Sequence, residues 1–307
     1  MRVFITGGTG LIGSRLIQRL RQRGDDVHLL TRRPEAVGEK FAGCTLVAGD
    51  PINAGAWMDV VAECDAVVNL AGANIFGRRW NDEYKREMMD SRVKTTDNVV
   101  ASLARKPRND AGTAKVLVNA SAVGYYGPRG DEEIDEDAPP GNDFLAQICT
   151  AWERSALAAQ ASGVRVVLVR IGVVLDKEGG ALKPLLTPFK LGAGGPVGSG
   201  RQWMAWIHHA DLIGIILLAL DRADAQGPIN GTAPTPVTNR EFGKALGRAL
   251  HRPAFMPMPG FVMRAAFGEV AGVVLTGQRV LPRQALKLGY QFQFPTIDAA
   301  LADILKP

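Results

Sequence analysis

Residues 6–13 read TGGTGLIG. Three glycines at this spacing suit a backbone that must wrap around a diphosphate. Gly7 permits a tight turn, Gly10 lets the main chain approach the phosphates, and Gly13 lets a helix pack closely on a strand. Thr9, Leu11 and Ile12 complete the loop, and the amides that open the following helix face the anion. A short apolar run precedes the motif and an amphipathic stretch follows it, the context that dinucleotide binding requires. An ordinary glycine-rich turn is the alternative.

A second apolar run ends at Thr31-Arg32-Arg33-Pro34. A site for NAD places an acid here for the ribose hydroxyls. No acid is present, and the planar fork of a guanidinium suits a ribose 2′-phosphate. The expected cofactor is NADP; the other reading is a pair of solvated arginines. Asp50, after the third run, either accepts from the adenine amino group or caps its own turn. Leu70, Ala71 and Gly72 close the fourth run, where small residues let the backbone lie against the cofactor.

Groups able to move a proton collect in SAVGYYG at 121–127. Ser121, Tyr125 and Tyr126 are the catalytic candidates, with either phenol as proton donor; ring packing against a sheet is the alternative. Cys149 is either a reactive thiol or a small buried hydrophobe. On the stretch 82–103, Glu87 and Ser91 share a helical face with Arg92 one residue round. Arg92 either reaches a phosphate or ribose with Glu87 positioning it, or forms a surface ion pair. Arg201, Trp203 and Trp206 flank a glycine loop and suit a nucleotide sugar by stacking and by holding its diphosphate. Packing of a small lobe explains the tryptophans as well. His208 reads as structural and Asp211 as a helix N-cap.

These residues need a scaffold that brings strand ends together. Short β-branched runs at 3–6, 27–31, 45–48, 66–70, 116–120 and 164–170 alternate with helical stretches at 11–23, 82–103 and 143–161. Several runs are apolar on both faces, as in a parallel sheet buried under helices. The predicted fold is α/β, a Rossmann-type doubly wound parallel sheet with a small C-terminal substrate lobe. The predicted division is 1–220 for the dinucleotide-binding domain and 221–307 for the lobe. Later helices are expected at 212–220, 239–250, 260–275 and 297–305. The acid-rich run Asp131–Asp137 reads as a solvated loop, with a mobile lid as the other reading.

Composition narrows the function classes. The formal charge of +5 is modest and no basic run is interleaved with aromatics, so no nucleic-acid partner is expected. Cys44, Cys64 and Cys149 are far apart, and no spacing with the four histidines suggests a metal. No stretch is long and apolar enough to span a membrane, no leader is apparent, and neither a membrane partner nor a location outside the cytoplasm is expected.

TGGTGLIG, NLAG at 69–72 and SAVGYYG together resemble the extended short-chain dehydrogenase/reductase family. GRRW at 77–80, DSR at 90–92, DFLAQICTAWE at 143–153, VRIGVVL at 169–175, GSGRQWMAWIHHADL at 198–212, NGTAPTPVTNREF at 230–242 and YQFQFP at 290–295 resemble its atypical epimerase branch. The resemblance implies NADP binding and a nucleotide-sugar epimerase or related oxidoreductase. It also implies that Ile171, Gly172 and Val174 run beside the nicotinamide, and that Arg92 stands where an Asn lies near the cofactor. The family's Tyr-x-x-x-Lys pair is absent. If Glu153 holds its usual place, Leu145 and Cys149 occupy the Tyr and Lys positions; four residues before Tyr126, the family's Ser/Thr position falls on Ala122, with Ser121 one step earlier. Two functions therefore compete: an NADP-dependent oxidoreductase or epimerase acting on a small-molecule substrate, and a non-catalytic NADP-binding or redox-sensing module.

Overall fold

The structure is a computed structural model that describes residues 1–306. The N-terminal half runs β1 (Arg2–Thr6), α1 (Leu11–Gln22), β2 (Asp26–Thr31), α2 (Pro34–Val37), β3 (Thr45–Ala48), α3 (Trp57–Glu63), β4 (Ala66–Asn69), α4 (Asp82–Arg105), β5 (Val116–Ala122), β6 (Glu133–Ile134) and α5 (Phe144–Leu157). Then follow β7 (Arg165–Ile171), β8 (Val173–Asp176), β9 (Gly179–Gly180), α6 (Lys183–Lys190), β10 (Trp203–Met204), β11 (Trp206–His208), α7 (His209–Asp221), β12 (Gly227–Gly231) and β13 (Val237–Thr238). The chain ends with α8 (Asn239–Ala249), α9 (Gly260–Phe267), α10 (Gly272–Leu275), β14 (Arg279–Val280), α11 (Arg283–Lys287) and α12 (Ile297–Ile304).

Seven strands form one parallel sheet in the order β12-β7-β5-β4-β1-β2-β3. The strand order reverses between β1 and β4, where ligands bind in doubly wound sheets. Apolar residues cover both faces. Leu16, Ile17 and Leu20 of α1 pack on one side with Ile213 and Ile216 of α7, while Trp57, Val99, Leu103 and Ala156 pack on the other. That double burial explains why the strands read as continuous apolar runs.

The predicted division at 220 does not match how the chain crosses between lobes. β12, at 227–231, is an edge strand of the main sheet beside β7. Conversely, Leu175, Leu182, Phe189 and Trp206 share the second lobe's core with Phe242, Leu246 and Leu301. The helix expected over 260–275 is interrupted: Gly268 adopts φ +67°, a 3₁₀ turn covers Gly268–Ala271, and α10 follows. The acidic run is not a simple solvated loop. Ile134 is fully buried, β6 pairs with β14, and the buried Glu136 carboxylate accepts from the amides of Asn230 and Gln284. An apolar residue inside the run and amides from β12 and α11 turn it into a strap across the edge of the main sheet.

Candidate functional site

The glycine loop closes on itself through Gly10 N–H to Gly7 O at 3.1 Å. Gly7 has φ +66°, and a Cβ there would lie 2.6 Å from the Leu70 carbonyl carbon. The two strand-end loops thus meet backbone to backbone. Beneath them, Thr6 Oγ1 donates to Asn69 Oδ1 at 2.5 Å, and Asn69 Nδ2 donates to Thr96 Oγ1 and Asn119 Oδ1. The Ala71 amide donates to Thr6 Oγ1 at 3.3 Å, which fixes the Leu70–Gly72 turn above this network. A Cβ on Gly13 would lie 2.4 Å from Gly8 Cα, so that glycine is a packing requirement. At Gly10 the one neighbour within 4 Å of such a Cβ would be Gly7 O, at a tight 3.3 Å, a much smaller conflict than at Gly13. Gly10 is the N-cap of α1 with no side-chain cap and no acid in the first turn, so the helix presents bare amides. Thr9 is exposed, Ile12 packs on the core, and Leu11 packs under Gly179 and Gly180 of β9, which overhangs this end of α1.

Arg32 and Arg33 are exposed beside Thr31, whose Oγ1 accepts from the Arg33 amide. Neither guanidinium is in an ion pair among the described residues. Asp50 Oδ1 accepts from the Ile52 amide at 3.3 Å, in keeping with the turn-capping alternative.

At the carboxyl end of β5 the sequence candidates separate. Tyr126 is fully buried: its hydroxyl donates to Asn230 Oδ1 at 2.7 Å and accepts from Arg170 Nη1 at 2.9 Å. Burial pushes its phenol up to about 12. It is a core residue and is removed from the proton-donor candidates. Ser121 is also corrected: it is 2% exposed, and its hydroxyl is spent on Glu153 Oε1 at 2.6 Å. Tyr125 remains half-buried on the Val123–Tyr126 turn, with the Arg170 guanidinium 3.6 Å over its ring. Leu145 and Cys149 do face this turn. A Cβ on Gly124 would lie 3.3 Å from Leu145 Cβ and 4.0 Å from Cys149 Sγ. Burial pushes the Cys149 thiol up to about 11, so it is a packed hydrophobe rather than a nucleophile.

Arg170 escaped the sequence reading. Its Nε and Nη2 grip both carboxylate oxygens of Glu153 at 2.9 Å, and burial holds all of it away from water. The signal was a lone charge inside the apolar run VVLVRIGVVL.

Arg92 and Glu87 do not meet. Five residues along a helix is about 140° of rotation, so the two side chains leave on different faces. Glu87 pairs with Arg78, whereas Arg92 lies under Gly72, donating to Met88 O and Ala73 O with Trp152 5.2 Å away. Burial lowers the Arg92 guanidinium, and its role is to hold the loop after β4. Ser91 helps by accepting from the Ala73 amide. Ile171, Gly172 and Val174 lead from the main sheet into the second lobe. A Cβ on Gly172 would lie 2.2 Å from Ala205 O, so this glycine answers to a chain crossing.

Of the substrate candidates, Trp206 is corrected to core: it is fully buried with Nε1 donating to Thr235 O. Trp203 donates to Asp131 of the acidic strap and stacks with Arg279 at 4.7 Å. Arg201 alone is exposed. The N-cap of α7 is His208, whose Nδ1 accepts from the Ala210 amide. Asp211 instead accepts from Tyr290 Oη and from the amides of Gln293 and Phe294, tying down the C-terminal segment.

Residues 3–230 match the NAD dependent epimerase/dehydratase family, and residues 258–304 match a domain of unknown function (DUF1731). Epimerase family protein SDR39U1 of Mus musculus is 44% identical over 309 residues, spanning 99% of this chain and 100% of the mouse protein. The crystal structure of the human protein of that name with NADPH is 41% identical, covers 99% of both chains and superposes with a TM-score of 0.87. A nucleoside-diphosphate sugar epimerase from Corynebacterium glutamicum is 33% identical with a TM-score of 0.78, covering 99% of this chain and 58% of that one. On the matched span and the full-length relatives, the chain belongs to the NAD dependent epimerase/dehydratase family.

Proposed function

We propose that the chain binds NADP and acts as an oxidoreductase or epimerase on a hydroxyl or carbonyl compound, with nucleotide sugars the first class to test. The observation that carries this reading is the cradle itself. The bare N-terminus of α1 opens at the exposed Gly10, and two exposed arginines with no ion pair among the described residues lie at the end of β2. The bound cofactor would supply or accept hydride at the end of β5. In the chain, α1 amides would hold the diphosphate, Arg32 would meet the 2′-phosphate, and Gly72 and Gly7 would let the backbone lie close. Tyr125 would pass a proton to or from the substrate oxygen. The Arg170 guanidinium, paired with Glu153, lies over its ring and would hold the phenol in place. Arg201 would reach the anionic part of the substrate. Three free cysteines suit a reducing compartment, and a cytoplasmic location belongs to the same proposal.

NADPH and NADH titrations followed by fluorescence test the cofactor assignment. NADPH should bind more tightly, and Arg32→Ala should weaken NADPH by about ten- to a hundredfold, the worth of one charge-assisted contact, while sparing NADH. Equal affinities would remove the assignment. Turnover of a nucleotide-sugar and carbonyl panel tests the chemistry: Tyr125→Phe should abolish turnover and leave NADPH affinity unchanged. A second reading, a binding module without catalysis, is favoured by Leu145 and Cys149 at the place of the proton-transfer pair. Wild-type protein that binds NADPH but turns over nothing on the panel would support it.

A further inference from the structure

The second lobe has a face that the proposed chemistry does not use. Leu191 is 79% exposed, Phe255 72% and Phe261 73%, and Met256 and Phe267 are each about half exposed. No residue of α9 is buried. Side chains this apolar and this open, gathered in one region, mark a contact surface rather than scatter. They are held together by backbone: the Arg252 guanidinium donates to Lys190 O, the Met256 amide to Gly194 O, and the Met258 amide to Pro196 O.

The charge pattern of the same face is one-sided. The two segments that build it, 179–210 and 242–268, contain no Asp or Glu. Apart from Arg201, already assigned to the substrate, they carry Lys183, Lys190, Lys244, Arg252 and Arg264, none in an ion pair among the described residues, and Arg248, which pairs with Asp298. Protruding phenylalanine and leucine side chains amid unpaired cations fit the interface of an anionic bilayer. There, apolar groups enter the headgroup–acyl boundary and lysines and arginines stay at the phosphates. A second copy of this chain fits poorly, because a symmetric contact would set one mainly cationic face against another. The expectation of no membrane partner rested on the lack of a spanning stretch. No helix here is long and apolar enough to span, but surface docking requires none.

We propose that this face, centred on Leu191, Phe255 and Phe261, docks the protein on anionic phospholipid membranes. The full-length protein should co-sediment with phosphatidylcholine vesicles containing phosphatidylglycerol and not with phosphatidylcholine alone. Raising salt to about 0.5 M should release it, because such charges are screened beyond a few ångströms. Phe255→Ser with Phe261→Ser, and separately Lys190→Glu with Arg264→Glu, should each weaken vesicle binding by at least about tenfold. Both pairs should keep the wild-type melting temperature and NADPH affinity, which separates this proposal from the cofactor assignment. Sedimentation indifferent to vesicle charge overturns it. So does a wild-type dimer, seen by analytical ultracentrifugation, that the Phe255/Phe261 pair dissolves while vesicle binding is absent. Capture by an acidic protein without vesicle binding overturns it as well.

Discussion

Gly10 and Gly13 stand three residues apart, yet a methyl group at each would meet different things. At Gly13 it would press on Gly8 Cα at 2.4 Å, inside the packing of α1 on β1; at Gly10 its one close neighbour would be Gly7 O at 3.3 Å, a tight contact that a small shift relieves. Gly13→Ala should therefore lower the melting temperature. Gly10→Val should leave the melt close to wild type and abolish NADPH binding by calorimetry, because its side chain would stand between backbone and diphosphate. A folded Gly10→Val protein that still binds would reduce the loop to a turn. The adjacent tyrosines divide in the same way. Tyr126→Phe strands the buried Asn230 carbonyl oxygen without its donor and should cost about 1–3 kcal/mol in denaturant unfolding. Tyr125→Phe removes no hydrogen bond of the hydroxyl and should be nearly neutral to stability, its effect falling on turnover.

Among the elements, α5 and β7 are joined by the Glu153–Arg170 pair, which lies beneath the Val123–Tyr126 turn and is nearly sealed from water. Removing one partner leaves a buried charge, at a cost of about 3–5 kcal/mol. Glu153→Gln should lose stability of that order and loosen both Ser121 and Tyr125. Glu153→Leu combined with Arg170→Met should recover much of the loss, since neither charge is then left alone. A double variant no more stable than Glu153→Gln would show that the pair's hydrogen bonds to Ser121, Tyr126 and Glu136 O outweigh its desolvation.

At the scale of the whole molecule, α12 and the segment before it are tied to the start of α7 by His208 and Asp211. His208 is 1% exposed, stacks on Phe294 and His209, and holds Nε2 3.4 Å from Asp303, with Asp176 beyond His209. Burial lowers its imidazole from 6.5 to about 4. The folded state thus favours the neutral ring. Its stabilisation is complete above about pH 6.5 and falls away as pH drops towards 4, because the unfolded chain takes up a proton there first. The whole effect amounts to about 3 kcal/mol. Melting curves at pH 7 and pH 4.5 should show a larger drop for wild type than for His208→Asn, which can keep the cap to Ala210. Identical drops would assign acid sensitivity to other groups.

The sequence by itself determined the alternation of strands and helices, the glycine cradle and the arginines after β2, because turn geometry, strand burial and helix starts are local properties of a few neighbouring residues. The family resemblance, with Glu153 in its usual place, implied Leu145 and Cys149 at the Tyr and Lys positions of that helix. Only the tertiary structure separated the buried Tyr126 from the half-buried Tyr125, placed Trp206 and Ser121 in the core, and set Arg170 over the Tyr125 ring. Those outcomes depend on partners far away in the chain, such as Tyr126 with Asn230, 104 residues on. Burial and pairing of that kind arise when separate elements close on one another, and no spacing along the chain encodes them.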